Sequence, residues 1–219
     1  RSASGEPGNR RRTSPSTWST SVVRASVSAL VGLRLKTSLA ETERLAQKAR
    51  DLGVFCMEAM WTRFAPLIAR LRHIVADGDI GEVRSISADL GFVAGPRAKD
   101  RIWDPALGGG ALLDVGIYPV AFAQMLLGSP QTLAAHGTLT ADGVDAEAAL
   151  LLGWAGGAYA QLEASLLAHT GNTARVVGTG GRIDVPARFH QPSRLIHTRS
   201  DGSVQVYEAA PVGRGYVPM

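Results

Sequence analysis

The pattern of apolar and polar positions changes character at Ser38. From there Leu39, Leu45, Ala46, Ala49 and Leu52 recur at helical spacing through LAETERLAQKARDL, and Gly53 supplies the stop. Ser38 and Glu41 form the S-x-x-E pattern of a capping box. The apolar run VFCMEA, 54–59, predicts a buried strand, with Cys56 as a buried, inert thiol. A helix running into a buried strand is the pattern that ends a parallel α/β sheet. RFAPLIARLRHIVADG, 63–78, predicts an amphipathic helix closed by Gly78, and GEVRSISADLGFV, 81–93, a strand. RAKDRIWDPALGGG reads as a loop with a turn at Asp104-Pro105, and GGGALLDVGIYP opens a helix that runs to Gly128.

Beyond Gly128 strand patterns dominate. TLAAHGTLT, DAEAALLLGWA, AYAQLEASLLA, ARVVGTGGRIDVPA, SRLIHT and SVQVYEA are separated by Gly, Asn-Thr or Asp-Gly punctuation, and Asp201-Gly202 marks a hairpin. The fold class predicted is α+β, a mostly antiparallel open sheet with helices on one face.

The 219 residues suffice for one large domain or one and a half smaller ones. Residues 1–37 are Ser-, Arg-, Pro- and Gly-rich at their start and lack a period, so they read as a disordered segment or as sequence foreign to the fold. RRR followed by a weak apolar stretch is the start of a twin-arginine signal, but Arg24 interrupts it and no A-x-A site follows. The net charge of +4 is unevenly placed: residues 1–40 hold seven Arg or Lys against Glu6, a net of +6, so the remainder is −2. The folded part therefore lacks the basic stripe of a nucleic-acid binder. One cysteine excludes internal disulfides and cysteine metal clusters, and points to a reducing compartment, the cytoplasm. The sequence shows no apolar run of the roughly 20 residues that a membrane helix needs.

The candidate chemistry is narrow. VVGTGGRI places Gly178 and Gly180 as in a dinucleotide loop, but Ile183 takes the third glycine's place and DVPARF is no helix, so the segment reads as strand–turn–strand. His73, His136, His169, His190 and His197 form no metal-binding spacing, and no metal is expected. Asp114 and Tyr118, four residues apart, share a helix face. Spacing alone leaves two readings: a phenol satisfied by a carboxylate within the core, or a proton-transfer pair facing a ligand. Gly108, Gly109 and Gly110 add backbone that a ligand can approach closely.

GGGALLDVGIYP resembles the helix motif of the Gfo/Idh/MocA oxidoreductases, where an Asp and, four residues on, a His or Tyr line the substrate pocket. FCMEAMWTRFAPLIARLRHIVADGDIGEVRSISADLGF is similar to the passage between that family's two domains, and EAMWTRF to its dihydrodiol dehydrogenase and sugar dehydrogenase branch. VVGTGGRIDVP fits the family's late hairpin. The resemblance covers about residues 38–216. It implies an NAD- or NADP-dependent oxidoreductase acting on a small polar substrate: a sugar, polyol or dihydrodiol. Tyr118 would be the proton donor or acceptor and Asp114 its partner, with Trp61, Arg63, Phe92, Trp103, Gly109 and Gly110 at the substrate. Trp61 and Phe92 equally suit plain core packing. It further implies that 38–60 are the last helix and strand of a Rossmann-type domain, that 61–219 form the substrate-binding domain, and that copies pair through the open sheet face. Three departures from the family stand against activity. The lysine expected near position 33 is Leu33, and Lys36 lies in RLKTS, which does not match; a nucleotide-binding half is replaced by 1–37, and the end at GYVPM precedes the family's final helix. An enzyme and a catalytically dead binding or dimerisation module both remain open.

Overall fold

A computed structural model describes residues 39–95 and 101–210; the capping residue Ser38, the segment 1–37 and position 33 lie outside the described residues. Eight strands form one sheet: β1 Val83–Gly91, β2 Thr132–Leu139, β3 Asp145–Gly153, β4 Tyr159–Ser165, β5 Ala174–Gly178, β6 Gly181–Val185, β7 Arg194–Arg199 and β8 Val204–Glu208. Their order is β2-β3-β4-β1-β5-β6-β7-β8. β1 runs parallel to β4, and every other pairing is antiparallel. The predicted α+β layer is the layer observed.

Alternation within the central strands decides which face is covered. Ile86, Ala88 and Leu90 of β1 lie level with Ala160, Leu162 and Ala164 of β4, and all six are buried. Ser87, Gln161 and Leu151 point to the other, open face beside Arg175. The covered face carries helix α2, Pro66–Ala76, and helix α3, Ile117–Leu127. α2 buries Leu67, Ile68, Leu71 and Ile74, one stripe of an amphipathic helix that starts at Pro66, whose missing N–H costs nothing at a first turn. α3 buries every residue from Ile117 to Ala123. By length and composition the helical stretch Pro105–Leu127 is apolar enough to cross a membrane, contrary to the sequence reading, but 67% of its apolar 18-residue portion is buried inside the protein.

The GTGG segment is a hairpin between β5 and β6. Its Thr179 and Gly180 N–H groups donate to the carbonyls of Glu82 and Ile80 at 2.9 and 2.7 Å, so they are spent inside the protein and cannot cradle a phosphate. Helix α1, Leu39–Asp51, forms as its periodicity predicts and closes at Gly53, where the Val54 N–H reaches the Ala49 carbonyl at 3.0 Å.

The segment after it departs from expectation. Residues 54–59 form no strand, Phe55 is 87% exposed, and Cys56 is exposed rather than buried. A buried parallel strand needs neighbours on both edges and cover on both faces. The sheet of the described residues pairs with β1 to β8 only and does not include 54–59. α1 likewise buries none of its residues.

His197 of β7 is fully buried, level with Ile183 and Gln205. Among the described residues its two ring nitrogens have no hydrogen bond of normal geometry. Burial, then the nearby Arg199 guanidinium, hold its pKa below the usual value, against an opposing pull from Asp79. The unfolded chain therefore binds a proton on His197 at a pH where the fold does not. Stability falls as the pH drops below about 6.5, the ordinary histidine value. Urea unfolding between pH 7 and pH 5 should show this loss, with a shallower slope in His197→Leu; an unchanged slope would exclude His197 as its source.

Candidate active site

The site is built around the start of the long helix. Gly109 and Gly110 are buried, and their N–H groups donate to the carbonyls of Asp104 and Ile102, both at 2.9 Å. A Cβ on Gly109 would lie 2.6 Å from the Ile102 carbonyl oxygen. One on Gly110 would lie 2.0 Å from Asp145 Oδ1, at a φ of +123° that side chains avoid. The room the sequence left here for a ligand is thus filled by the protein's own turn Arg101–Trp103 and by Asp145 at the head of β3. Asp145 caps the helix: its Oδ2 accepts from the Leu112 N–H at 2.6 Å. Burial raises its pKa, and hydrogen bonds from Leu112, its own N–H and Ala111 partly offset this.

With the turn held against the helix, Arg101 donates a charge-assisted hydrogen bond to Asp114. Asp114 is 9% exposed, whereas the Arg101 side chain is 46% exposed. A carboxylate so buried needs its cation, and the pair neutralises it at the margin of solvent. Asp114 lies in a π-helical turn, Leu112–Gly116, ahead of α3. Pro119 near the start of α3 lacks the N–H that would bond back into this turn, a local cause of the widened helix.

Tyr118 emerges one turn on, 7% exposed. Its ring meets Trp61 edge-on, with centroids 5.9 Å apart, and His190, also at 5.9 Å. Trp61 and His190 touch each other at the same distance, closing an aromatic triangle. Trp61 comes from a one-turn 3-10 segment, Trp61–Phe64, whose buried Thr62 hydroxyl donates to the His190 carbonyl at 3.0 Å. The His190 Nδ1 is buried without a hydrogen-bond partner. Burial, then the Arg188 guanidinium, lower its pKa, so the ring at neutral pH is an uncharged donor and acceptor. Sequence reading missed His190. Nothing in its spacing marks it, because its contact with Thr62 spans 128 positions.

The other expected site residues are spread around this triangle. Arg63 shares the turn with Trp61 and is half-buried. Trp103 is half-buried, and its indole N–H donates to the Gly95 carbonyl at 3.2 Å. Phe92 is 37% exposed at the end of β1, where its N–H bonds the Ser165 carbonyl. No ring contact joins Phe92 or Trp103 to Tyr118 among the described residues. Two shallow depressions of about 560 and 570 Å³ lie on the open sheet face, lined by residues such as Ala134, Leu151 and Gln161. The first is lined by Ser87, Asp89, His136, Gln161 and Glu163, and neither includes Trp61, Tyr118 or His190; the expected pair Asp114 and Tyr118 marks the triangle as the candidate site. Among the described residues no three His, Cys, Asp or Glu side chains gather as metal ligands.

A dinucleotide pyrophosphate does not fit the start of α2 or the turn before α3. α2 begins at Pro66, which has no N–H, and the turn before α3 is capped by the carboxylate of Asp145.

Residues 68–184 match the model of the GFO/IDH/MocA C-terminal domain. Trans-1,2-dihydrobenzene-1,2-diol dehydrogenase of Mus musculus is 38% identical over 161 residues, 72% of this chain and 47% of that enzyme. Its counterpart from Macaca fascicularis is 40% identical over the same coverage. The chain spans about half the length of the curated relatives it matches. Among solved structures, a 3-ketoreductase from Actinomadura kijaniata in complex with NADP and TDP-benzene superposes with a TM-score of 0.67 at 27% identity, covering 82% of this chain and 56% of that one. An aldose-aldose oxidoreductase from Caulobacter crescentus complexed with glycerol shares the fold, with a TM-score of 0.72 at 24% identity over 82% of this chain and 55% of that one.

Gly110→Ala should destabilise the chain by about 2–4 kcal/mol in urea unfolding, because the new methyl meets a capped carboxylate at a strained φ. A loss under about 0.5 kcal/mol, the range of ordinary surface changes, would contradict the packing described.

Proposed function

The chain belongs to the GFO/IDH/MocA family, and from that premise we propose that it carries the substrate side of an NAD(P)-dependent oxidoreductase. The substrate would be a carbinol or carbonyl of a sugar, polyol or dihydrodiol. One observation carries the reading: Tyr118 stands between two aromatic walls, one turn beyond a buried carboxylate neutralised by Arg101. On this reading residues 61–219 are the substrate-binding and dimerisation domain, and 38–60 the end of the dinucleotide-binding one. The matched span 68–184 supports the first assignment. The relatives' names support the substrate class, and the NADP held by the 3-ketoreductase supports the cofactor.

Bound NAD(P) would supply the hydride chemistry; the described residues account for the proton. In the reductive direction the Tyr118 phenol donates to the oxygen that gains charge, and in the oxidative direction the same oxygen takes the carbinol proton back. Asp114, fixed by Arg101, orients a substrate hydroxyl. Trp61 and neutral His190 hold the carbon chain and exclude water, with Arg63, Phe92 and Trp103 at the margin. The open face of the sheet, with Ala134, Leu151, Gln161 and Ser87 uncovered, offers a surface for pairing two copies. A cytoplasmic enzyme is the setting we propose.

A second reading, a binding or dimerisation module without catalysis, draws on the helix starts that do not fit a pyrophosphate. Fluorescence titration with NADPH and NADH separates the two. The oxidoreductase reading expects a saturable change; none at millimolar cofactor favours the second. Where turnover is measured, Tyr118→Phe should lower it by about 10²-fold or more and leave cofactor affinity unchanged. An undiminished rate would remove Tyr118 from the mechanism.

A further inference from the structure

Three elements border Asp114 and Tyr118, and each carries an arginine. The turn Arg101–Trp103 brings Arg101, which is spent on Asp114. The turn Trp61–Phe64 brings Arg63, half-buried, with no hydrogen bond or ion pair among the described residues. The turn that carries His190 brings Arg188, whose Nη2 donates only to the neutral Gln191 Oε1, at 3.0 Å. That turn is fixed by the Gln191 N–H on the Arg188 carbonyl at 2.7 Å. The carboxylates on these elements and on the facing helix are Asp104, which caps Ala106, and Asp114. His190 is neutral, so two positive charges beyond the Arg101–Asp114 pair stand beside the triangle without an acidic partner. A partly buried cation left unpaired is costly, and Arg63 can recover that cost from an anion brought in from outside.

We propose that the substrate is a hydroxylated carbon chain that bears an anionic group, with Arg63 as the ligand of that group and Arg188 adding to the field that draws it in. This rests on the reading of the Tyr118 triangle as a substrate site. The hydroxyl end lies at Tyr118 and Asp114, and the charged end at Arg63. A guanidinium takes a carboxylate and a phosphate ester alike through paired N–H donors, so the shared chemistry is a planar or tetrahedral oxyanion. The long-range part of the attraction is exposed to solvent and weakens with salt.

The test uses the full chain and three probes of one skeleton: gluconate, glucitol 6-phosphate and neutral glucitol, each titrated by calorimetry at low ionic strength. At least one anion should bind about tenfold or more tightly than glucitol, and the two anionic arms separate carboxylate from phosphate. In Arg63→Gln the preference should fall to within about twofold, with a little-changed melting temperature, since the Arg63 side chain makes no hydrogen bond or ion pair among the described residues. Arg188→Gln should reduce it by a smaller factor, and about 0.5 M sodium chloride should narrow it in the wild type. Glucitol binding as tightly as both anions overturns the inference and leaves the oxidoreductase reading standing. So does a preference that survives in Arg63→Gln. If none of the three binds, both the inference and the substrate site fall together.

Discussion

Two stretches of backbone meet without side chains between them at Gly109 and Gly110, and the site depends on that contact. The backbone of Ile102 and Asp104 lies against these glycines through two 2.9 Å hydrogen bonds. Asp145 reaches into the space a Cβ at Gly110 would occupy and caps the helix start. From this closure follow the reach of Arg101 to Asp114, the direction in which the helix leaves, and the seat of Tyr118. Glycine loses more entropy on ordering than any other residue, so the contact has a cost that the hydrogen bonds and the cap must offset.

The pair Arg101–Asp114 is a poor candidate for a stabilising device. Burying a carboxylate costs several kcal/mol, and an ion pair recovers that only in part. The buried apolar cluster runs continuously through α2, α3, β1 and β4 without the pair. What the pair achieves is a charge fixed one helical turn from a phenol, where aromatic walls from the Trp61 turn and the His190 loop converge on α3. The neutral imidazole adds a polar atom to a wall that is otherwise hydrocarbon. The parallel pairing of β1 with β4 places β4 beneath this helix start, where Gly116 packs against Ala164.

Much of the fold was legible in the sequence. β4 alternates buried and exposed positions through Tyr159–Ala164, and the hairpin at Asp201-Gly202 is written in its turn residues. α2 shows its face through Leu67, Ile68, Leu71 and Ile74. Residues 54–59 were misread because an apolar run has the same appearance whether or not strands flank it, and pairing is a property of the neighbours. Cys56 was misplaced with it. In the site, Asp114 and Tyr118 were visible because four residues on a helix fix a face locally. Gly109 and Gly110 showed that something approaches closely, but not that the approaching group is the Ile102 carbonyl and Asp145. His190 could not be seen, because only the long-range closure of the loop after β6 onto the Trp61 turn brings it to Tyr118.

We propose that the triangle of Trp61, Tyr118 and His190, and not the open sheet face, receives the substrate. Aromatic carbon–proton spectra of the labelled chain, recorded while gluconate or glucitol is added, test it directly. The account predicts saturable shifts in the ring signals of Trp61, Tyr118 and His190, with His136 on the open face unmoved. Saturable shifts at His136 with an unaltered triangle would contradict it.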